Sequence, residues 1–273
     1  MSLSTYSANS ILGWIKGVTF PTAPTNLFFS LHSADSKNGA NEVTNTFASG
    51  RVSYTAADFS ATSQVGAFRQ ISNTIAVNWG ASILAGSVPF FGIWDAITGG
   101  NCLFVGDCRT ALGVANPLTF GLADNISLPI SAVIIQIANL AFSNYFVDAF
   151  LEWVKGTTFP SAPTDLYTGL ATAILPNGTT TEVTTTIAPS GRIAIASTLW
   201  TAIATVGNYR QIRNTNNASF GTSAGAVAGL DFVTIWDASS AGNLIAYGAI
   251  PSQNIAVGQS VLIAANAITL GIN

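Results

Sequence analysis

Few residues in this sequence of 273 are of a kind that does chemistry. There is one histidine, His32, and there are two cysteines, Cys102 and Cys108. A histidine is the common general base near neutral pH, and it needs a nucleophile and an orienting partner within reach. Ala171 stands where the second half of the chain, aligned on the first, would repeat His32. A base needed in both halves would not be lost from one. One histidine and two cysteines in apolar surroundings cannot supply the four ligands of a zinc site. The acidic residues are scattered, without the alternating Asp/Asn loop that holds calcium, and no glycine-rich loop is present to cradle phosphate. The expectation is therefore a protein that is not an enzyme, with no cofactor and no metal.

What the other polar residues do is legible because the sequence repeats itself. Trp14-Ile-Lys-Gly17 recurs as Trp153-Val-Lys-Gly156, and Phe20-Pro-Thr-Ala-Pro24 as Phe159-Pro-Ser-Ala-Pro163. Glu42, Arg51 and Arg69 recur as Glu182, Arg192 and Arg210. Ile93-Trp94-Asp95-Ala96 recurs as Ile235-Trp236-Asp237-Ala238, and Gly100-Asn101 as Gly242-Asn243. The matches keep their order from end to end, so the chain is a tandem duplication. Repeat one is assigned to 1–131, repeat two to 143–273, and 132–142 to the connection. Asp95 and Asp237, at the mouths of turns, are expected to accept hydrogen bonds from nearby backbone N–H groups. Arg69 and Arg210 are expected to pair with Glu42 and Glu182 and so pin the loops, or else to contact a partner subunit. Trp94 and Trp236, in apolar strands, are expected in the core. Trp14 and Trp153 are either core residues or exposed anchors for a neighbour.

These residues must be positioned by elements of both kinds. Each repeat opens with a short helix, Tyr6 to Lys16 and Tyr145 to Lys155, on apolar residues at helical spacing. Ser143 or Asn144 stands at the second N-cap, and Gly17 and Gly156 stand where C-terminal caps belong. Strands follow at short intervals, with turn-forming clusters such as Asp35-Ser-Lys-Asn-Gly39 and Pro176-Asn-Gly178 between them. The expected fold is mainly β: two tandem β-sandwich or jelly-roll-like domains, each preceded by its helix. Cys102 and Cys108, on one extended segment, would lie roughly 20 Å apart at about 3.3 Å per residue, too far for a disulfide.

Composition narrows the function classes. Charged residues are 8% of the chain, against about 25% in ordinary soluble domains. A surface so poor in charge has little repulsion to keep copies apart, which suits a protein packed in an assembly. The net charge of −3 and nine scattered basic residues offer no footprint for nucleic acid or for an anionic membrane. The most apolar stretch, 126–142, is interrupted by Pro129, Gln136 and Asn139 and is too short for a membrane span. The N-terminal residues lack the basic start and apolar core of a signal peptide.

The ordered pattern resembles small bacteriophage virion proteins of the capsid cement or tail-fibre-like kind. It is carried by the helix ending in Trp153-Val-Lys-Gly-Thr-Thr-Phe-Pro-Ser-Ala-Pro163, by Gly191-Arg192, and by Ile235-Trp-Asp-Ala-Ser-Ser-Ala-Gly-Asn-Leu-Ile-Ala-Tyr-Gly248 followed by Val257-Gly-Gln-Ser260. Repeat one departs from it at Val105-Gly-Asp107 and at Val114-Ala-Asn-Pro117. The resemblance implies a virion component, assembled in the host cytoplasm, without catalytic residues. Because the chain is compact and lacks a long repetitive shaft, the leading expectation is a capsid cement protein that clamps neighbouring subunits. Its partners would be the major capsid protein or copies of itself. The alternative is a tail-fibre or adhesin module that binds host-surface glycan.

Overall fold

The structure, a computed structural model, describes residues 1–35, 37–47, 50–109, 114–138, 141–175 and 180–272. It is mainly β, with 47% strand and 12% helix. The turn expected at 176–178 lies outside the described residues, as does Ser36 in the turn at 35–39.

The two helices form where the sequence places them, and matching devices end them. Helix α1 spans Thr5–Ile15 and helix α2 spans Asn144–Val154. Ser4 and Ser143 sit in extended backbone before them, and their hydroxyls accept from the N–H groups of Ser7 and Phe146. Each cap thereby satisfies one of the free N–H groups of a helix start. At the other end the chain turns through Gly17 (φ +78°) and Gly156 (φ +94°). Val18 N–H then closes on the Gly13 carbonyl and Thr157 N–H on the Glu152 carbonyl, both at 2.9 Å. This Schellman closure needs a left-handed residue, which glycine adopts without a Cβ penalty.

All strand pairings between the described strands are antiparallel. In repeat one a five-stranded sheet runs in the order Ser2–Leu3, Cys102–Asp107, Phe90–Trp94, Asn26–His32, Val52–Thr55. Beside it lie a three-stranded sheet, Ile134–Ala138, Phe68–Ser72, Ser63–Val65, and two separate pairs. Repeat two follows the same plan. Asp165–Ile174 pairs with Val227–Trp236 on one side and with Thr180–Glu182 and Ile193–Ala196 on the other. Val227–Trp236 continues into a long hairpin with Leu244–Ile255. In repeat one Pro89, which has no N–H to give a ladder, stands between Gly86–Val88 and Phe90–Trp94 and splits this element in two. The β character and the duplication agree with the sequence reading. The two facing sheets of a jelly roll are not reproduced, since the strands divide among several small sheets.

The segment expected as a connection, 132–142, contains a strand of its own. Ile134–Ala138 is a strand that pairs with Phe68–Ser72, placing Ile135 opposite Ile71. Thr269–Ile272 pairs with Tyr209–Arg213 in the same way. Ile134–Ala138 is thus the closing strand of repeat one, as Thr269–Ile272 is of repeat two.

The repeats do not merely follow one another; they interlock. Helix α1 packs on Cys102–Asp107 of its own repeat and on Tyr209–Arg213 of the other. Helix α2 packs on Leu244–Ile255 of its own repeat and on Phe68–Ser72 of the other. Between them Phe20 and Phe159 stack with centroids 4.1 Å apart and planes at 23°. Trp153 meets Phe20 edge-on at 5.1 Å, and Trp14 meets Phe159 edge-on at 5.4 Å. The indole N–H of Trp14 donates to the Pro160 carbonyl, and that of Trp153 to the Pro21 carbonyl, each at 2.8 Å. Each of these contacts has its mirror in the other repeat, the mark of a twofold relation within one chain. One continuous apolar core consequently spans both repeats. This settles the position of Trp14 and Trp153: both are buried, each inside the other repeat's border.

Truncating a buried aromatic of this size costs about 3–5 kcal/mol. Trp14→Ala or Trp153→Ala is expected to lower stability by about that amount. Denaturant unfolding followed by fluorescence and by circular dichroism should show one shared transition for both halves, moved to lower denaturant. Two separate transitions in the wild-type chain would contradict the core shared by the repeats.

Candidate functional site

The polar residues shared by the repeats form one repeated assembly. The Arg51 guanidinium lies 3.5 Å from the centroid of the Trp94 ring, and that of Arg192 lies 3.6 Å from Trp236. Arg51 donates from Nε and Nη2 to the two carboxylate oxygens of Glu42, both at 2.8 Å, and Arg192 does the same to Glu182. The remaining Nη1 reaches into the next turn, donating to the carbonyls of Ala96 and Gly99 in one repeat and of Ala238 and Ala241 in the other. Asp95 closes that turn by accepting from the backbone N–H and side-chain amide of Asn101, and Asp237 accepts from Asn243 likewise. A planar fork matched to a carboxylate and stacked on an aromatic ring uses what arginine offers and lysine does not. The assembly ties three loops together at one end of each repeat.

The expected pairing of Arg69 with Glu42 is wrong. Arg51 holds Glu42, while Arg69 crosses to the other repeat and donates to both oxygens of Asp148 on α2, at 2.6 and 2.5 Å. Arg210 crosses the opposite way, donating from Nε to Asn9 Oδ1 on α1 at 2.8 Å. The sequence showed that both arginines recur, but not which chain segments the fold brings beside them.

His32 is buried under Trp94 and engaged at both nitrogens. Its Nδ1–H donates to the Ala40 carbonyl at 2.9 Å, and its Nε2 accepts from the Ser30 hydroxyl at 2.7 Å. The Ser30 oxygen in turn accepts from the Trp94 indole N–H at 2.7 Å. The pair has the spacing of a nucleophile and its base, yet both side chains are shut off from solvent. Burial pushes the His32 pKa below its ordinary value, so the ring is held neutral. In repeat two the same indole is satisfied by a different route: Trp236 N–H donates to Thr234 Oγ1 at 2.8 Å. Ser30 and Gly92 face each other across adjacent strands, as do Gly169 and Thr234. The hydroxyl has changed strands, and glycine has moved to the opposite side each time. A Cβ on Gly92 would come within 2.8 Å of Ser30 Oγ and 2.6 Å of His32 Nε2.

Two features escaped the sequence reading. Gly221-Thr-Ser-Ala-Gly225 spells a Gly-x-Ser-x-Gly pattern, but Ser223 is buried and donates its hydroxyl to the Gly225 carbonyl at 2.6 Å. No helix follows it, so it is not a strand-to-helix elbow. Asn73 and Asn214, which recur in register, are fully buried. Each donates two amide hydrogens to carbonyls and accepts one backbone N–H, tying the chain before the last strand of its repeat. Their recurrence beside Thr74 and Thr215 was the available signal. Cys102 and Cys108 are free and buried, with burial pushing their thiols up to about 12 and about 11. Among the described residues no three His, Cys, Asp or Glu side chains gather as a metal site, and no helix is long and apolar enough to cross a membrane.

The family model for podophage GP4 fiber I protein gp80 matches residues 2–130 and again residues 141–271. The chain therefore belongs to that family, as a tandem duplication of its unit, and is a tail-fibre-like structural component of a phage virion. No curated protein matches it.

Two measurements check this geometry. Ser30→Gly leaves the Trp94 N–H buried without its acceptor, and is expected to cost about 1–3 kcal/mol. Adding His32→Ala and Gly92→Thr, which copies Gly169, Ala171 and Thr234, should restore most of that loss in thermal or denaturant unfolding. Separately, a buried neutral histidine takes its proton mainly in the unfolded chain. Its contribution is complete above about pH 6.5 and is lost as pH falls through the depressed folded value. Stability measured from pH 7.5 to 5 should decline in the wild type and be flatter in His32→Ala.

Proposed function

We propose that the chain is a non-enzymatic building block of a phage tail fibre, contributing one rigid two-lobed unit. The observation that carries this reading is the double match to a fibre family by two halves that share one core. A fibre must transmit force and hold its shape, and two lobes that share one apolar core are suited to it. The groups that could react support the same reading, because His32, Ser30, Ser223, Cys102 and Cys108 are buried and hydrogen-bonded or packed. The low charge of the surface favours close packing against copies of itself or against other virion proteins. The family's description as a fibre favours this reading over the capsid cement role, the leading sequence expectation.

Electron microscopy of virions labelled with an antibody to this chain is expected to show label on fibres at the tail. Label spread over the capsid shell would overturn the fibre reading and favour capsid decoration.

A further inference from the structure

The turn Asp35-Ser-Lys-Asn-Gly39 ends on a pair of residues that can react with each other. The side-chain amide of an asparagine is open to attack by the backbone nitrogen of the next residue, and a glycine there puts no side chain in the way. Asn38 is exposed, while Gly39, at φ +78°, is buried. The pair is anchored on both sides. The Lys37 carbonyl accepts from Thr5 N–H at 2.8 Å, and the Asn41 carbonyl from Ser33 N–H at 3.0 Å. Between them the Ala40 carbonyl accepts from His32 Nδ1.

Two details favour attack. Ala40 N–H donates to Asn38 Oδ1 at 3.3 Å, the two-residue reach typical of asparagine in turns. That donor points at the oxygen on which negative charge develops when Cγ is attacked, the arrangement of an oxyanion hole with a single donor. The attacking group is not engaged elsewhere: Gly39 N–H makes no hydrogen bond among the described residues. The buried Asn73 and Asn214 are the contrast. Their amides are held by carbonyls, and the nitrogens that follow them, of Thr74 and Thr215, donate to the Asp58 and Leu199 carbonyls.

We propose that Asn38 is a site of spontaneous deamidation, with water as the co-reactant. The Gly39 nitrogen bonds to Asn38 Cγ, and its proton passes through water to the side-chain amino group, which leaves as ammonia. A succinimide ring remains. Water adds its hydroxyl to one ring carbonyl and its proton to the Gly39 nitrogen. Opening at Cγ gives aspartate, and opening at the backbone carbonyl gives isoaspartate. The isoaspartyl branch inserts an extra carbon into the backbone ahead of Gly39. Gly39 has no room to move: a Cβ there would fall 2.4 Å from Trp94 Cη2 and 2.8 Å from Cys102 Cβ. The change is passed to Trp94 and, through the Ala40 carbonyl, to His32. A virion does not replace its proteins, so the modification accumulates with the age of the particle.

The test is incubation of the full chain in mildly alkaline buffer, with and without urea, followed by peptide mapping and mass spectrometry. The fragment from Asn38 to Arg51 is expected to gain, at residue 38, the mass difference between water and ammonia. The rate in native buffer should lie within about ten-fold of that in urea. It should rise with pH, since the attacking amide must give up its proton. Asn73 and Asn214 should stay unmodified in native buffer, and Asn38→Gln should lose the change at 38. Asn38→Asp, which copies the aspartyl product, is expected to keep the wild-type melting temperature. The aged wild type should instead show a second, lower-melting population that carries isoaspartate. Deamidation at residue 38 slowed by folding beyond that ten-fold would overturn the proposal. So would modification confined to the other Asn-Gly of the sequence, at 177–178, which lies outside the described residues.

Discussion

The stack of Phe20 on Phe159 is the contact on which the rest of the molecule depends. Around it the two indoles, the two helices and the two proline-rich segments close in mirrored fashion. Neither repeat covers its own helix completely. Each helix turns one face to its own sheet and another to the neighbour's three-stranded sheet. Removing water from these aromatic faces is the dominant favourable term, and the carbonyls of Pro21 and Pro160 make it specific by satisfying the indole N–H groups. The glycine closures after each helix belong to the same construction. A Cβ on Gly17 would meet Ser197 at 3.0 Å, and one on Gly156 would meet the Pro24 carbonyl at 3.2 Å, both in the other repeat.

The polar assemblies stand on this frame and divide into two kinds. The Arg–Trp–Glu clamps are local to a repeat and the same in both, because they hold loops that the β scaffold always brings together. The arginines that cross between repeats are not the same: Arg69 meets a carboxylate and Arg210 an amide. The shared part of the sequence thus builds the frame, and the differences lie where one repeat faces the other or faces solvent.

How much of this was legible in the sequence follows from how far each signal reaches along the chain. Features fixed within a few residues were readable: the cap at Ser143, the glycines at helix ends, the Asp95 and Asp237 turns, and the burial of Trp94 and Trp236. Features that depend on distant partners were not. Strand patterns do not name their neighbours, so the small sheets were read as a jelly roll and the closing strand at Ile134–Ala138 as a connection. Arg69 was assigned to Glu42 because both recur, while its partner lies on a helix of the other repeat. For Trp14 and Trp153 the pattern showed an apolar helix face without showing what would cover it.

The exchange of Asp148 for Asn9 has a bearing on inheritance. In a particle made of two identical subunits, each codon is expressed on both sides, so a substitution at a twofold-related position arrives as a pair. Here the two sides are written in separate stretches of one gene. A residue beside Arg210 can change while its counterpart beside Arg69 stays fixed, and selection can act on one side of the molecule while the other goes on holding the lobes together.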